Sequence, residues 1–441
     1  MRERVEWMSS RVNLEDYREQ KVPSRADPEG RTDQDSSRAG GLAKKPLVRL
    51  LGVLPGDAGD ISEPTPSHGM NVPFFRYPHV FAQQRDELSA ALERVATSGA
   101  YIMQRDLRDF EERLATYTGA ADAVGVGNAT DALEMIVAAA GLGLGDEVIL
   151  PSHTFVATAS ALVVNGVTPV FAEIGEDHLL DPDDVERRIG LRTRGIMVTQ
   201  LNGRVADMDR FAALAEEHGL VLLEDSAQGI GALFRGRMAG TFASGGVLSF
   251  YPAKVLGALG DGGAILTMDA EAGQRFRRLR DHGRDPETGE VLGWGRNSRL
   301  DNLHAAVLAV KLTTVDDEIA RRRELAARYH ENLRDLPGLV LPPPPETDGH
   351  HFDTFQNYEI EVEERDALRA FLTEHGVGTI LQWGGKGVHQ FPALGIDATL
   401  PRTERMLARS LMLPMNSSLT FHEVDYVSEQ VHAFCAAARP V

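Results

Sequence analysis

Between residues 123 and 267 the chain alternates short apolar runs with stretches of helical periodicity, which leaves few folds open to it. The runs at 123–126, 147–150, 169–172, 196–199, 220–223, 246–250 and 264–267 read as strands buried on both faces. Helical stretches at 132–140, 157–164 and 209–218 separate several of them, and Leu107, Phe110, Leu114 and Tyr117 give a further helix the three- and four-residue spacing of an amphipathic face. Strand and helix in turn predict an α/β fold with a mostly parallel central sheet. A helix predicted from about Asp301 to Leu333 stops before Pro337 and Gly338, and the proline run 342–345 makes a stiff connection. A strand at 355–362, a helix at 365–375, a strand at 378–382 and helices at 402–411 and 422–434 then suggest a smaller C-terminal α+β domain. The expected division is a disordered arm at 1–69, a large domain at 70–315 and a small domain at 316–441.

Gross properties remove several functions. A formal net charge of −19 disfavours binding to a nucleic-acid backbone, which requires a basic face. No stretch reaches the roughly 18 apolar residues of a membrane span, and the start of the chain lacks the apolar core of a signal peptide. The one cysteine, Cys435, rules out an intrachain disulfide and reads as a small core residue. A cytoplasmic location follows as the expectation, and no metal site is expected.

The chemistry concentrates around Lys254, in the stretch 249–254, which precedes a glycine-dense run at 257–263. A lysine amine condenses with an aldehyde to form a Schiff base, most readily where burial or neighbours lower its pKa. Asp225 follows the apolar run 220–223, and ligands of open α/β sheets collect at the carboxyl ends of strands. An amine, a distant carboxylate and the hydroxyl of Ser249 are what pyridoxal 5'-phosphate (PLP) needs: a carboxylate paired with the pyridine nitrogen keeps that nitrogen protonated. The turn 125–131 joins a strand to a helix whose free N–H groups suit a phosphate, with Thr130 adding a hydroxyl. Phe155 offers a flat ring for the pyridine, and Gln228 an amide for the phenolic oxygen if a helix starts after Asp225.

In this order the motifs resemble the DegT-type nucleotide-sugar aminotransferases, which have the PLP-dependent transferase fold type I. The matching stretches include GVGNATDAL (125–133), GDEVILPSHTFVAT (145–158), LLEDSAQGIGA (222–232) and SFYPAKVLGALGDGGAILT (249–267). The resemblance implies that Lys254 carries the cofactor and shuttles the proton. It further implies that Asp225 holds the pyridine nitrogen, Gln228 the ring hydroxyl, Phe155 the ring face, and Ala129, Thr130 and Ser249 the phosphate. Asn297 is implied to reach the phosphate of a neighbouring subunit in a homodimer with shared sites. L-glutamate is the implied donor, and a dTDP-4-keto-6-deoxyhexose of an antibiotic or glycan pathway the expected acceptor, with ping-pong kinetics.

Departures from the family pattern fall where a sugar is expected. Residues 200–203 read Gln-Leu-Asn-Gly in place of a His-Leu-Tyr-Gly type stretch, and Gln382, Trp383 and Gly384 replace a frequent His-Tyr-Pro. Trp383, Lys386 and His389 are therefore candidate substrate contacts, and Arg296 and Arg299 are either nucleotide-phosphate contacts or salt-bridge partners. The intact Lys254 disfavours the related sugar dehydratases, which carry histidine there. The alternatives are a 3-keto-sugar or keto-inositol aminotransferase, an aminohydroxybenzoate-type synthase and a non-catalytic PLP-fold regulator or partner subunit. A Rossmann dehydrogenase is set aside because the glycine run follows the lysine rather than opening a first strand-to-helix turn.

Overall fold

The computed structural model describes residues 70–345 and 349–437, so the expected arm at 1–69 lies outside the described residues. Strands β1 (Asp122–Val126), β2 (Glu147–Pro151), β3 (Thr168–Ala172), β4 (Thr193–Thr199) and β5 (Val221–Asp225) form within a few residues of the apolar runs that predict them. A two-residue hairpin, β6 (Leu233–Phe234) and β7 (Arg237–Met238), precedes β8 (Gly246–Ser249) and β9 (Gly263–Thr267). Seven strands make one sheet in the order β1-β9-β8-β5-β4-β2-β3, and of these β9 runs against the rest. Most of their interior residues are closed to solvent, β3 at the edge being only partly so, which is why the central strands β2, β4, β5 and β9 carry runs of Val, Ile, Leu and Met.

Helices cover both faces. Ala129–Ala139, Val156–Val164 and Ala270–Arg280 bury Leu133, Ile136, Leu162 and Phe276 against one face. Arg105–Thr118 and Asn302–Lys311 bury Phe110, Leu114 and Leu308 elsewhere on the sheet. Their ends follow local chemistry: Asn128 caps Ala129–Ala139 by accepting from Asp131 N at 2.8 Å, and Gly119, at φ 74°, ends Arg105–Thr118 in a left-handed turn.

The C-terminal part builds its own core. Strands β10 (Leu339–Val340), β12 (Tyr358–Val362) and β13 (Ser410–Leu413) form an antiparallel sheet, while the short β11 (His351–Phe352) joins the β6 hairpin. Tyr329, Tyr358, Leu372, Leu411 and Val427 pack together there.

Four expectations need correction. The helix from Asp301 to Leu333 is interrupted by a 3-10 turn at Leu312–Thr314, where the hydroxyls of Thr313 and Thr314 bond the carbonyls of Val310 and Lys311 at 2.7 and 3.3 Å. The strand at 378–382 shrinks to one bridge, Ile380 with Met412, because Trp383, Gly384 and Gly385 all take left-handed φ values (54°, 71° and 73°) and turn the chain away. The helix at 402–411 ends at Arg409, and the apolar residues after it pair with β12 as β13. The strand at 355–362 begins only at Tyr358, since Phe355 sits at φ 50°.

One buried cation braces the C-terminal core from within. Arg322 is 2% exposed; its Nε donates to Glu318 at 2.8 Å, and its Nη1 donates to the carbonyls of Phe355, Gln356 and Met415 at 3.2–3.3 Å. Truncating it strands several buried acceptors at once. Arg322→Met is expected to cost about 3 kcal/mol, measured as a lower midpoint in urea unfolding of the purified protein. An unchanged midpoint would show that the loop at 355–356 needs no such anchor.

Candidate active site

Ala129, Thr130, Phe155, Asp225, Gln228, Ser249, Lys254 and Trp383 line a single cavity of about 610 Å³ at the carboxyl ends of the parallel strands. Asp225 is the last residue of β5, and Lys254 sits in the turn after the neighbouring strand β8, so the sheet brings both to the same edge. Burial lowers the Lys254 amine to about 8 against the opposing pull of Asp225. It also raises the Asp225 carboxyl, against the Thr158 hydroxyl, the Ala227 N–H and the Lys254 charge. Asp225 Oδ2 accepts from Thr158 at 2.6 Å and Oδ1 from Ala227 N at 3.1 Å.

The loop that carries Lys254 is clamped from the C-terminal part. Gln356 accepts from Val255 N at 2.9 Å and donates to Ala253 O at 2.9 Å, gripping the backbone on either side of the lysine. Arg322 holds Gln356 in turn by its carbonyl. No periodicity or motif announces this residue; its partners lie about a hundred positions away.

Gln228 is set by a second network. No helix follows Asp225, only a turn, yet Gln228 still reaches the cavity. Its Oε1 accepts from Asn202 N at 2.9 Å and Asn357 Nδ2 at 3.3 Å, which fixes the amide so that Nε2 remains as its donor. Asn202, held at φ 57°, donates from Nδ2 to buried Glu359 at 2.9 Å. His178 bridges Glu359 and Glu361. Burial opposes its charge, but the two carboxylates overcome this and raise His178 to about 10. Burial would likewise raise Glu359, yet the histidines and Asn202 hold it at about 2, so an ion pair stands behind the Gln228 amide.

At the opposite end the cavity meets the start of helix Ala129–Ala139, whose first N–H groups have no carbonyl partner within the helix. The Thr130 and Ser249 hydroxyls stand at the same wall. Gly263 lets β9 lie against this turn: a Cβ there would sit 2.7 Å from the Asn128 carbonyl carbon and 2.8 Å from Ala129 N. A phosphate-binding end, a ring-sized middle between Phe155 and the sheet, and a carboxylate beyond Lys254 fit PLP. Phe155 is 52% exposed despite its place inside the fold, because its ring forms cavity wall; it meets Trp383 at 5.2 Å between centroids.

Three candidates lie elsewhere. Asn297 is exposed and outside this cavity, on a segment bridged to Asp281. Lys386 is exposed and does not line the cavity. His389 is corrected: it is 7% exposed, with Nδ1 2.6 Å from Ser152 Oγ and Nε2 3.0 Å from Glu404 Oε1, so its ring fastens the loop to the end of β2. Arg296 pairs with Glu134, and Arg299 with Asp281 at 3.1 Å, both within the chain. Of the departures, Gln200, Leu201, Gln382 and Trp383 all line the cavity, and the Gln200 amide is engaged behind it by Glu224 and Ala206 N at 2.9 and 2.8 Å. Among the described residues no helix is long and apolar enough to cross a membrane, and no cluster of His, Cys, Asp or Glu is arranged to hold a metal ion.

Known proteins of this architecture are similar over most of the chain. The erythromycin biosynthesis sensory transduction protein EryC1 of Saccharopolyspora erythraea is 41% identical over 364 residues, covering 81% of this chain and 98% of its own. The dTDP-3-amino-3,4,6-trideoxy-alpha-D-glucose transaminase of Streptomyces venezuelae is 41% identical over 355 residues, covering 79% and 92%. The crystal structure of S. venezuelae DesV in complex with a ketimine intermediate superposes with a TM-score of 0.80 at 38% identity, covering 84% of this chain and all of that one. The sequence profile of the DegT/DnrJ/EryC1/StrS aminotransferase family matches residues 82–432. Sequence, fold and the facing pair of Lys254 and Asp225 therefore agree: the chain belongs to this family and is a PLP-dependent sugar aminotransferase.

Proposed function

We propose that the enzyme moves an amino group from L-glutamate to a dTDP-linked keto-deoxysugar, in two half-reactions that share the one cavity. The observation that carries this reading is the single space shared by Lys254, Asp225 and the Phe155–Trp383 wall, which donor and acceptor must occupy in turn. Ping-pong kinetics follow from that alternation. The relatives named as dTDP-3-amino-sugar transaminases, from S. venezuelae, Aneurinibacillus thermoaerophilus and Micromonospora megalomicea, favour amination at C3 over the C4 expected from the sequence.

When bound, PLP supplies an aldehyde for the lysine and a ring that takes up the electrons left when a proton leaves the substrate carbon. Lys254, with its amine at about 8, is partly neutral near physiological pH and accepts and returns that proton at Nζ. With PLP bound, Asp225 would pair with the ring nitrogen, Gln228 would donate to the ring oxygen and Phe155 would supply an aromatic wall, while Ala129, Thr130 and Ser249 would hold the phosphate. Trp383, on the cavity wall beside Phe155, contacts the sugar. Asn297 serves the second subunit of a homodimer: beside it Trp294 is 96% exposed, with Val291 at 66% and Leu292 at 59%, an apolar patch that a partner would cover.

Three outcomes test these statements. Incubated with L-glutamate and dTDP-linked 3-keto or 4-keto sugars, the enzyme is expected to aminate the 3-keto substrate, with the nitrogen located by NMR. Amination of the 4-keto sugar alone would restore the C4 assignment, and failure with both would remove the dTDP-linked substrate. Borohydride trapping of PLP on Lys254 should accelerate as pH rises to about 8 and then level, because the neutral amine is the nucleophile. Asp225→Asn should move that midpoint lower, since the carboxylate raises the amine's pKa; an upward move contradicts the assignment. Light scattering should show a dimer that Trp294→Asp converts to monomer with loss of transaminase activity, whereas a wild-type monomer would exclude shared sites.

A further inference from the structure

We propose that Thr158 is a positioning residue for Asp225, the last link of a one-way chain of hydroxyl donors that runs from Thr199 through Thr154. The chain crosses the carboxyl edge of the sheet. Thr199 ends β4, Thr154 follows β2, Thr158 lies in the helix Val156–Val164, and Asp225 ends β5. The oxygens are 3.2 Å apart from Thr199 to Thr154, 2.7 Å from Thr154 to Thr158, and 2.6 Å from Thr158 to Asp225 Oδ2. All four side chains are closed off, at 5%, 1%, 0% and 4% exposure.

The direction follows from proton counting. A threonine hydroxyl has one proton to donate, and an ionised carboxylate only accepts. Thr158 must give its proton to Asp225, so the short contact between Thr154 and Thr158 can be bonded only if Thr154 donates. Thr154 then has no proton left, and Thr199 donates to it, as the geometry has it. Every hydroxyl dipole thus points its positive end toward Asp225, and such chains polarise one another. A protonated Asp225 would no longer require this order, so the chain favours the anion. It also reserves Oδ2 and turns the carboxylate's remaining lone pairs toward the cavity. Lys254 is the charged group that faces Asp225; the adjacent Glu224 points elsewhere, bonded by Gln200 and by the N–H groups of Gly240, Phe242 and Ala243.

The test is made on the holoenzyme without sugar, so its outcome is independent of the proposed substrate. Thr158→Val keeps the shape of the side chain and removes the donor. It is expected to weaken PLP binding about tenfold, the loss of a hydrogen bond to a charged group. It should also move the pH midpoint of the bound cofactor's visible absorbance upward, because the more basic Asp225 would take the proton from the ring nitrogen, which then no longer repels a proton on the lysine-linked nitrogen. Thr158→Ser should restore both readings, and Thr154→Val should move both the same way by a smaller factor. If Thr158→Val does not give folded protein by circular dichroism, Thr154→Val decides on the same two readings. An unmoved midpoint with unaltered PLP affinity, or a serine variant that behaves like valine, would overturn the assignment.

Discussion

Everything at this site depends on keeping a carboxylate charged where water is scarce. Asp225 closes β5 inside a wall of threonine, alanine and glutamine, and the cost of desolvation is visible in its raised pKa. The fold answers with the Thr158 hydroxyl, the Ala227 N–H and the cation of Lys254, none of which comes from the same strand. Lys254 is subject to the same confinement with the opposite sign: burial brings its amine down to about 8. One constraint therefore prepares both partners, since the enclosure that makes the acid a better base also makes the amine a better nucleophile.

Support of this kind recurs around the cavity. Gln228 presents its amide because Asn202 and Asn357 occupy its oxygen, and Asn202 is aimed by an ion pair that includes Glu359 and His178. Each functional side chain is backed by a group bonded to something deeper, which gives a site the rigidity that chemistry at fixed distances requires. The aromatic wall follows the same logic with backbone strain in place of hydrogen bonds. Trp383 is held in a left-handed conformation followed by two glycines of the same hand, and it meets Phe155 there.

The α/β fold and the cofactor end of the site were legible in the chain because their signals are local. A strand buried on both faces must be apolar throughout, so β2, β4, β5 and β9 are visible as runs of Val, Ile and Leu. Lys254, Asp225 and the Asn128–Thr130 turn lie at strand ends, and their order along the sequence is imposed by the sheet. What stayed hidden is non-local. Gln356, the three threonines and the Glu359–His178 pair look like ordinary polar residues, and only their distant partners give them meaning. His389 shows the converse, since a histidine in a glycine-rich loop looks the same in sequence whether it faces a ligand or fastens that loop to Ser152 and Glu404. Residues 410–411 failed for a different reason: the short run Ser410 to Leu413, with three apolar residues, fits the end of a helix as well as a strand, and pairing with β12 decides between them.

The Gln356 clamp makes the reactive amine a tenant of two structures. Its loop emerges from the large sheet, yet its aim is set by an amide rooted in the C-terminal core through Arg322. Fraying of that distant core would blunt the nucleophile while the sheet still stood, so catalytic competence is the more fragile property and the first to register damage in the molecule's far half.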